Sequence, residues 1–191
     1  MAAPITAKRW TRLEYERMVD LGVFKPGDRI ELVGGQLVVR EPQATPHSTG
    51  IRLVARALRA AFGPESNVDQ QLPVALDDES EPEPDVSVAP GGPRDYLASH
   101  PSRPVLIVEV AESSLAFDRE HKGSLYARAR VPEYWIVNLV DRALEVYREP
   151  AEAPAALYGW HYGALLRLGP TDFISPLAAP NARIAVGDLL P

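Results

Sequence analysis

Four side chains, three acids and a lysine, could do chemistry together, and one of them, Glu109, stands where a purely structural role would need a special partner. Glu109 interrupts the continuous apolar run Pro104-Val105-Leu106-Ile107-Val108-Glu109-Val110, the pattern of a strand buried on both faces. By strand alternation it shares a side with Val105 and Ile107, where a carboxylate is costly unless paired, protonated or bound to a cation. A buried pair with an arginine would meet that demand; so would a metal. Asp85 follows Pro84 at the mouth of Val86-Ser87-Val88, an ordinary strand-entry position if taken alone. Glu31 falls in Arg29-Ile30-Glu31-Leu32-Val33 on the face opposite Ile30 and Leu32, and alone it reads as a solvent-facing glutamate. Lys122 lies in a segment, Asp118 to Arg130, whose spacing predicts a helix with Lys122, Leu125, Tyr126 and Ala129 on one face.

The chain has no cysteine, and its four histidines, His47, His100, His121 and His161, form no metal-binding pair. A metal would therefore be held mainly by oxygen, which selects magnesium, manganese or calcium. Two or three carboxylates suit magnesium, which keeps several waters and completes its shell with a phosphate. An alternative use of Glu31 and Glu109, as the acid and base of a glycosidase, finds few aromatic platforms for a sugar and leaves Lys122 without a role.

These residues need elements to bring them together. Thr11 and Glu14 fit a capping box, with Trp10 and Tyr15 at the positions of a hydrophobic staple, so a helix is expected from about Arg12 to Leu21, ended by Gly22. Gly34-Gly35 between Arg29–Val33 and Gln36–Arg40 predicts a two-residue hairpin. From about His47 to Phe62 the period is helical, with Leu53, Val54, Ala57, Leu58 and Ala61 on one side and the arginine stripe Arg52, Arg56, Arg59 on the other. The stripe is either a solvated face or a phosphate-facing surface. Strands are expected at Val68–Leu76, Val86–Ala89 and Val105–Val110, and a hairpin over Glu133–Leu139 and Leu144–Tyr147.

The ordered set Glu31-Leu32-Val33-Gly34-Gly35-Gln36-Leu37, His47 ahead of the arginine helix, Pro84-Asp85-Val86, Val108-Glu109-Val110, Asp118 with Lys122 and Tyr126, and Val131-Pro132-Glu133-Tyr134-Trp135 resembles the Uma-type "putative restriction endonuclease" family. That family is a bacterial branch of the PD-(D/E)XK nuclease superfamily, and the resemblance runs from about Thr11 to the C-terminus. It implies an α/β restriction-endonuclease-like core, a central mixed β-sheet flanked by helices with extra antiparallel hairpins, and hydrolysis of DNA phosphodiesters with Mg²⁺ or Mn²⁺. Carried over by position, Asp85 and Glu109 are the implied metal ligands, Glu31 the additional acid and metal ligand, and Lys122 the catalytic lysine. His47, Arg52, Arg56 and Arg59 are the candidate DNA contacts. The superfamily lysine expected two residues after the glutamate is replaced by Ala111; in this branch it is moved to the following helix, where Lys122 fits. Ala111-Glu112-Ser113-Ser114 stands in place of a Ser-Pro turn, Asn138 where an aspartate is common, and Arg130 where a glycine is common. The missing lysine and the acidic balance motivate a second reading, a non-catalytic nucleic-acid-binding or assembly protein on a nuclease scaffold.

The 191 residues, 46% hydrophobic and 24% charged, fit one globular domain and exclude collagen, low-complexity disorder and a disulfide scaffold. The expected organisation is a single nuclease-like domain over 1–191, with a lead at 1–10 and a sheet-covering extension at 151–191. A net charge of −6 argues against a surface that grips nucleic acid everywhere. The distribution is uneven, however: residues 1–60 carry ten Lys/Arg against six acids, whereas residues 61–117 carry two against eleven. With no apolar run near the roughly 18 residues of a membrane helix and no secretory succession at the start, a soluble cytoplasmic protein is expected, with DNA as partner and a homodimer so that two strands can be cut.

Overall fold

A computed structural model of the chain describes residues 6–25, 27–40 and 44–191, so of the expected lead 1–10 the first five residues lie outside it. The chain opens with α1 (Arg12–Asp20), capped reciprocally by Thr11 and Glu14 as the capping box requires. A hairpin follows, β1 (Ile30–Val33) and β2 (Gln36–Val39), closed by Gly34 and Gly35 at φ of +54° and +78°. Both turn residues sit in the left-handed region that only glycine enters freely.

Helix α2 (Thr45–Phe62) leads into a six-stranded sheet of order β3-β4-β5-β6-β7-β8. Its strands are β3 (Ser66–Gln70), β4 (Val86–Pro90), β5 (Leu106–Ala111), β6 (Glu133–Asn138), β7 (Ala143–Glu152) and β8 (Trp160–Leu168). All neighbours pair antiparallel except β5 and β6, which are parallel. A parallel pair needs a crossover. That crossover is a helical segment in three parts: α3 (Leu115–Phe117), a π turn over Asp118–Lys122, and α4 (Gly123–Arg128). A small β9 (Phe173–Ile174) and β10 (Ile184–Ala185) pair ends the chain, followed by a 3₁₀ turn over Val186–Leu189. The fold is thus mixed α/β, a central mixed sheet with flanking helices and antiparallel hairpins. Among the described residues no helix is long and apolar enough to cross a membrane.

Strand alternation divides the core. Leu106, Val108 and Val110 of β5 face Ile51, Val54, Ala55 and Leu58 of α2, together with Ile174, Val186 and Leu189 from the C-terminal segment. Each such buried aliphatic side chain contributes roughly 1.5–3 kcal/mol. Ile107 and Ala111 face the opposite side with Tyr126, Val131, Tyr134 and Ile136, and Glu109 lies between them on that face.

Three expectations need revision. The strand expected at 68–76 stops at Gln70, because Gln71 takes φ of +53° and Pro73 follows. The helix expected at 118–130 begins in a π turn. Residues 160–168 are the sheet's outer strand rather than part of its cover; only the segment after β8 contributes side chains to the layer over it.

Helix α2 approaches β5 closely at Gly50, where an added Cβ would stand 2.9 Å from Val110 Cγ1. Gly50→Val is expected to cost roughly 1–3 kcal/mol through overpacking, read as a lowered midpoint in thermal or urea unfolding. An unchanged midpoint would show that the helix does not rest on Val110.

Candidate functional site

The β4–β5 register sets the site. Val86 pairs with Val108, so Asp85, one residue ahead of β4, comes opposite Glu109. Opposed residues of an antiparallel pair project to the same face. The Asp85 amide donates to Glu109 Oε2 at 3.2 Å, and the Val110 amide donates to Asp85 Oδ2 at 2.9 Å. Both carboxylates are buried, at 1% and 2% exposure.

The hairpin supplies Glu31. Leu32 and Glu81 exchange backbone hydrogen bonds, and the Glu83 amide donates to Glu31 Oε2 at 2.8 Å. The segment 81–85 thereby roofs β1, and Glu31 is buried rather than solvent-facing as its strand alone suggests.

The crossover supplies Lys122. In the π turn the Gly123 amide reaches back five residues to the Asp118 carbonyl. Such a wide turn brings residues four to five apart nearly into line, so Asp118, Lys122 and, one turn on, Tyr126 all lie buried. Lys122 Nζ donates to Glu109 Oε1 at 2.9 Å and lies 3.3 Å from Glu31 Oε1. The Tyr126 hydroxyl donates to the same Glu109 oxygen at 2.7 Å. Asp118 accepts from the Ser114 hydroxyl at 2.6 Å.

Two further basic side chains line the site. Arg40, just after β2, places Nη2 2.8 Å from Asp85 Oδ1, and His47 in the first turn of α2 places Nε2 3.1 Å from Asp85 Oδ2. All these side chains except Tyr126, which lies behind Glu109, line one open cavity of about 370 Å³ together with Glu112, Ser113 and Phe117.

Four buried carboxylates, Glu31, Asp85, Glu109 and Asp118, face two permanent cations, Lys122 and Arg40. Fully ionised, that set is two negative charges in excess, inside protein where such an excess is expensive. The carboxyls respond differently. Burial opposes the charge of Asp85, but His47, Arg40 and the Val110 amide outweigh it and hold its pKa below the usual carboxyl range. Burial pushes Glu109 up to about 7; Lys122 opposes the shift, and Asp85 and Asp118 add to it. Asp118 is raised as well, chiefly by burial. Burial works against the Lys122 ammonium, yet Glu109, Glu31 and Asp118 raise its pKa overall, so it stays protonated.

The sequence-predicted Asp85, Glu109, Glu31 and Lys122 therefore meet in one cavity. Among the described residues no three acidic or histidine side chains gather as a ready metal cluster. Glu31, expected beside the other two acids as a ligand, instead meets the lysine. Arg52, Arg56 and Arg59 lie exposed along α2 and do not line the cavity; of the four expected DNA contacts only His47 does. Arg40 and the role of Tyr126 were not foreseen. Tyr126 had a signal, its place four residues after Lys122. Arg40, at a hairpin end, had none.

Residues 13–186 match the Uma2 family, described as "Putative restriction endonuclease". The chain belongs to the Uma2 family. Among solved structures, this Uma2 chain is similar to a "putative nuclease belonging to DUF820" from Anabaena variabilis ATCC 29413. Sequence identity is 14%, the TM-score is 0.67, and the match covers 89% of this chain and 94% of that one. At that identity the likeness concerns the fold alone. A search of the curated proteins finds no match.

Glu109 yields a prediction about pH. Between its ordinary 4.5 and about 7 the folded protein holds a proton that the unfolded chain releases. Metal-free protein should therefore lose stability as pH rises through that window, by roughly 3 kcal/mol from this group, with Asp118 and Glu81, whose pKa values burial also raises, adding to the fall. Calorimetry in EDTA from pH 4.5 to 8 is expected to show this fall, and Glu109→Gln to make it shallower, the remainder belonging to Asp118 and Glu81. An equal slope in the variant would assign the titration elsewhere.

Proposed function

We propose that this Uma2 chain is a divalent-metal-dependent endonuclease hydrolysing DNA phosphodiester bonds. The observation that carries the reading is two facing carboxylates, Asp85 and Glu109, with a buried ammonium 2.9 Å from one of them in a single open cavity. The donor set fits a hard cation: oxygen ligands, no sulfur, and an unmet negative charge of the size such an ion carries. Asp85 and Glu109 would hold Mg²⁺ or Mn²⁺, with water and a phosphate oxygen completing the shell. The ion would supply Lewis acidity toward that oxygen and toward water.

The protein's own groups do the remaining work. Lys122 orients the attacking water or neutralises the charge that builds on the phosphate. Glu31, 3.3 Å from Lys122 Nζ, holds the ammonium and would support a water bound to the ion. Tyr126 fixes the Glu109 carboxylate by donating to the oxygen that Lys122 also uses. Exposed Arg52, Arg56 and Arg59 form a local track for the DNA backbone on a chain whose net charge is otherwise unfavourable to it. A homodimer would present two such cavities to the two strands.

The second reading, a non-catalytic binding or assembly protein, has one specific observation in its favour. Buried Ala111 occupies the strand position of the superfamily lysine. Supercoiled plasmid and single-stranded DNA, incubated with protein and Mn²⁺ or Mg²⁺, separate the two readings. The nuclease reading expects nicking or linearisation by the wild type, falling by roughly a hundredfold or more in Glu109→Ala and Lys122→Ala. Equal cleavage by wild type and variants would indicate a contaminant. Intact DNA throughout, with folded protein, would favour the binding reading.

A further inference from the structure

Arg40 has no role in the chemistry so far, yet it is among the least ordinary side chains of the molecule. It is 11% exposed, at the open end of the first hairpin. One guanidinium nitrogen, Nη2, donates to Asp85 Oδ1 at 2.8 Å. The other, Nη1, is buried and makes no hydrogen bond; Glu83 Oε2 lies 3.8 Å from it. A buried donor without an acceptor is rare in proteins and marks a place where a partner is to be expected. Both nitrogens belong to a group that lines the cavity holding Asp85, Glu109 and Lys122.

Asp85 is the crowded partner in this arrangement. Its Oδ2 already accepts from the Val110 amide and lies 3.1 Å from His47 Nε2, and its Oδ1 accepts from Arg40 at 2.8 Å and from the Gln71 side-chain amide at 3.5 Å. A carboxylate has about four lone-pair directions, so a cation shared with Glu109 competes with Arg40 for Oδ1. A released guanidinium would still lie in the cavity with both nitrogens free. Its planar fork matches two oxygens of a phosphate diester, a match that a lysine ammonium does not offer.

We propose that Arg40 is a phosphate-binding residue: it pairs with Asp85 while the cavity is empty of substrate and transfers to a non-bridging oxygen pair of the DNA phosphate when metal and substrate enter. The proposal rests on the nuclease reading above, and adds to it a group, now paired with Asp85, that receives the phosphate.

The test is binding of a fluorescent DNA duplex, by anisotropy in Ca²⁺ over a range of NaCl concentrations, with the duplex verified intact by electrophoresis. Wild type, Arg40→Gln and Arg40→Lys are compared, their folding checked by melting in EDTA. Each phosphate contact adds about 0.9 to the slope of log K against log salt on duplex DNA. Arg40→Gln is expected to weaken binding at least tenfold and to reduce the slope by about one. Arg40→Lys should restore the slope without restoring the affinity. A residue that only braces Asp85 would lower the melting temperature and leave the slope unchanged in both variants, which overturns the proposal. If Arg40→Gln does not fold, Arg40→Lys decides alone: binding weakened several-fold supports the fork, and wild-type affinity opposes it. A wild type that cleaves plasmid while the Arg40→Gln slope is unchanged sinks the Arg40 role only; a folded wild type that neither binds nor cleaves DNA sinks the nuclease reading and this inference with it.

Discussion

The structure turns on an unbalanced set of buried charges. Glu31, Asp85, Glu109 and Asp118 converge against Lys122 and Arg40, and protein interior tolerates such an imbalance only when something else completes it. Elsewhere the molecule shows what a completed buried acid looks like. Glu133 receives the Trp135 indole, the Arg148 guanidinium and the Leu177 amide. Glu145 receives Arg119, Asn138 and Tyr147. Those glutamates are structural pairs. The acids of the cavity share too few cations among them, and burial, with Asp85 and Asp118 close by, pushes the Glu109 carboxyl up to about 7.

The architecture follows from the need to assemble that set from distant parts of the chain. Antiparallel pairing of β4 and β5 sets Asp85 opposite Glu109. Parallel pairing of β5 and β6 requires a crossover helix, and the same helix delivers Lys122 and Tyr126 to the face on which Glu109 lies. The hairpin, clipped to the segment 81–85 through Leu32, brings Glu31 over the top and leaves Arg40 at its end. Apolar packing of α2 and the C-terminal segment on the opposite face leaves this side of the sheet to the site.

Much of this was legible in the sequence where one residue conflicted with its surroundings. Glu109 in an apolar run, two glycines between apolar strands, and a threonine three residues ahead of a glutamate each state a physical problem with few solutions. What was not legible depended on contacts made through space. Glu31 looked solvent-facing because strand alternation does not show a neighbouring segment lying over the hairpin. Arg40, at the end of the same hairpin, carried no signal for the same reason. The π turn leaves no periodic signature over five residues, and the outer strand at 160–168, with Gly163 and few β-branched residues, lacked the composition of a strand until β7 was there to pair with it.

The most direct measurement is anomalous diffraction at the manganese edge from crystals soaked in Mn²⁺. The account predicts a peak shared by the carboxylates of Asp85 and Glu109, lost in Glu109→Gln crystals. Bound manganese elsewhere, or no peak with both carboxylates ordered and Lys122 still at Glu109, would contradict it.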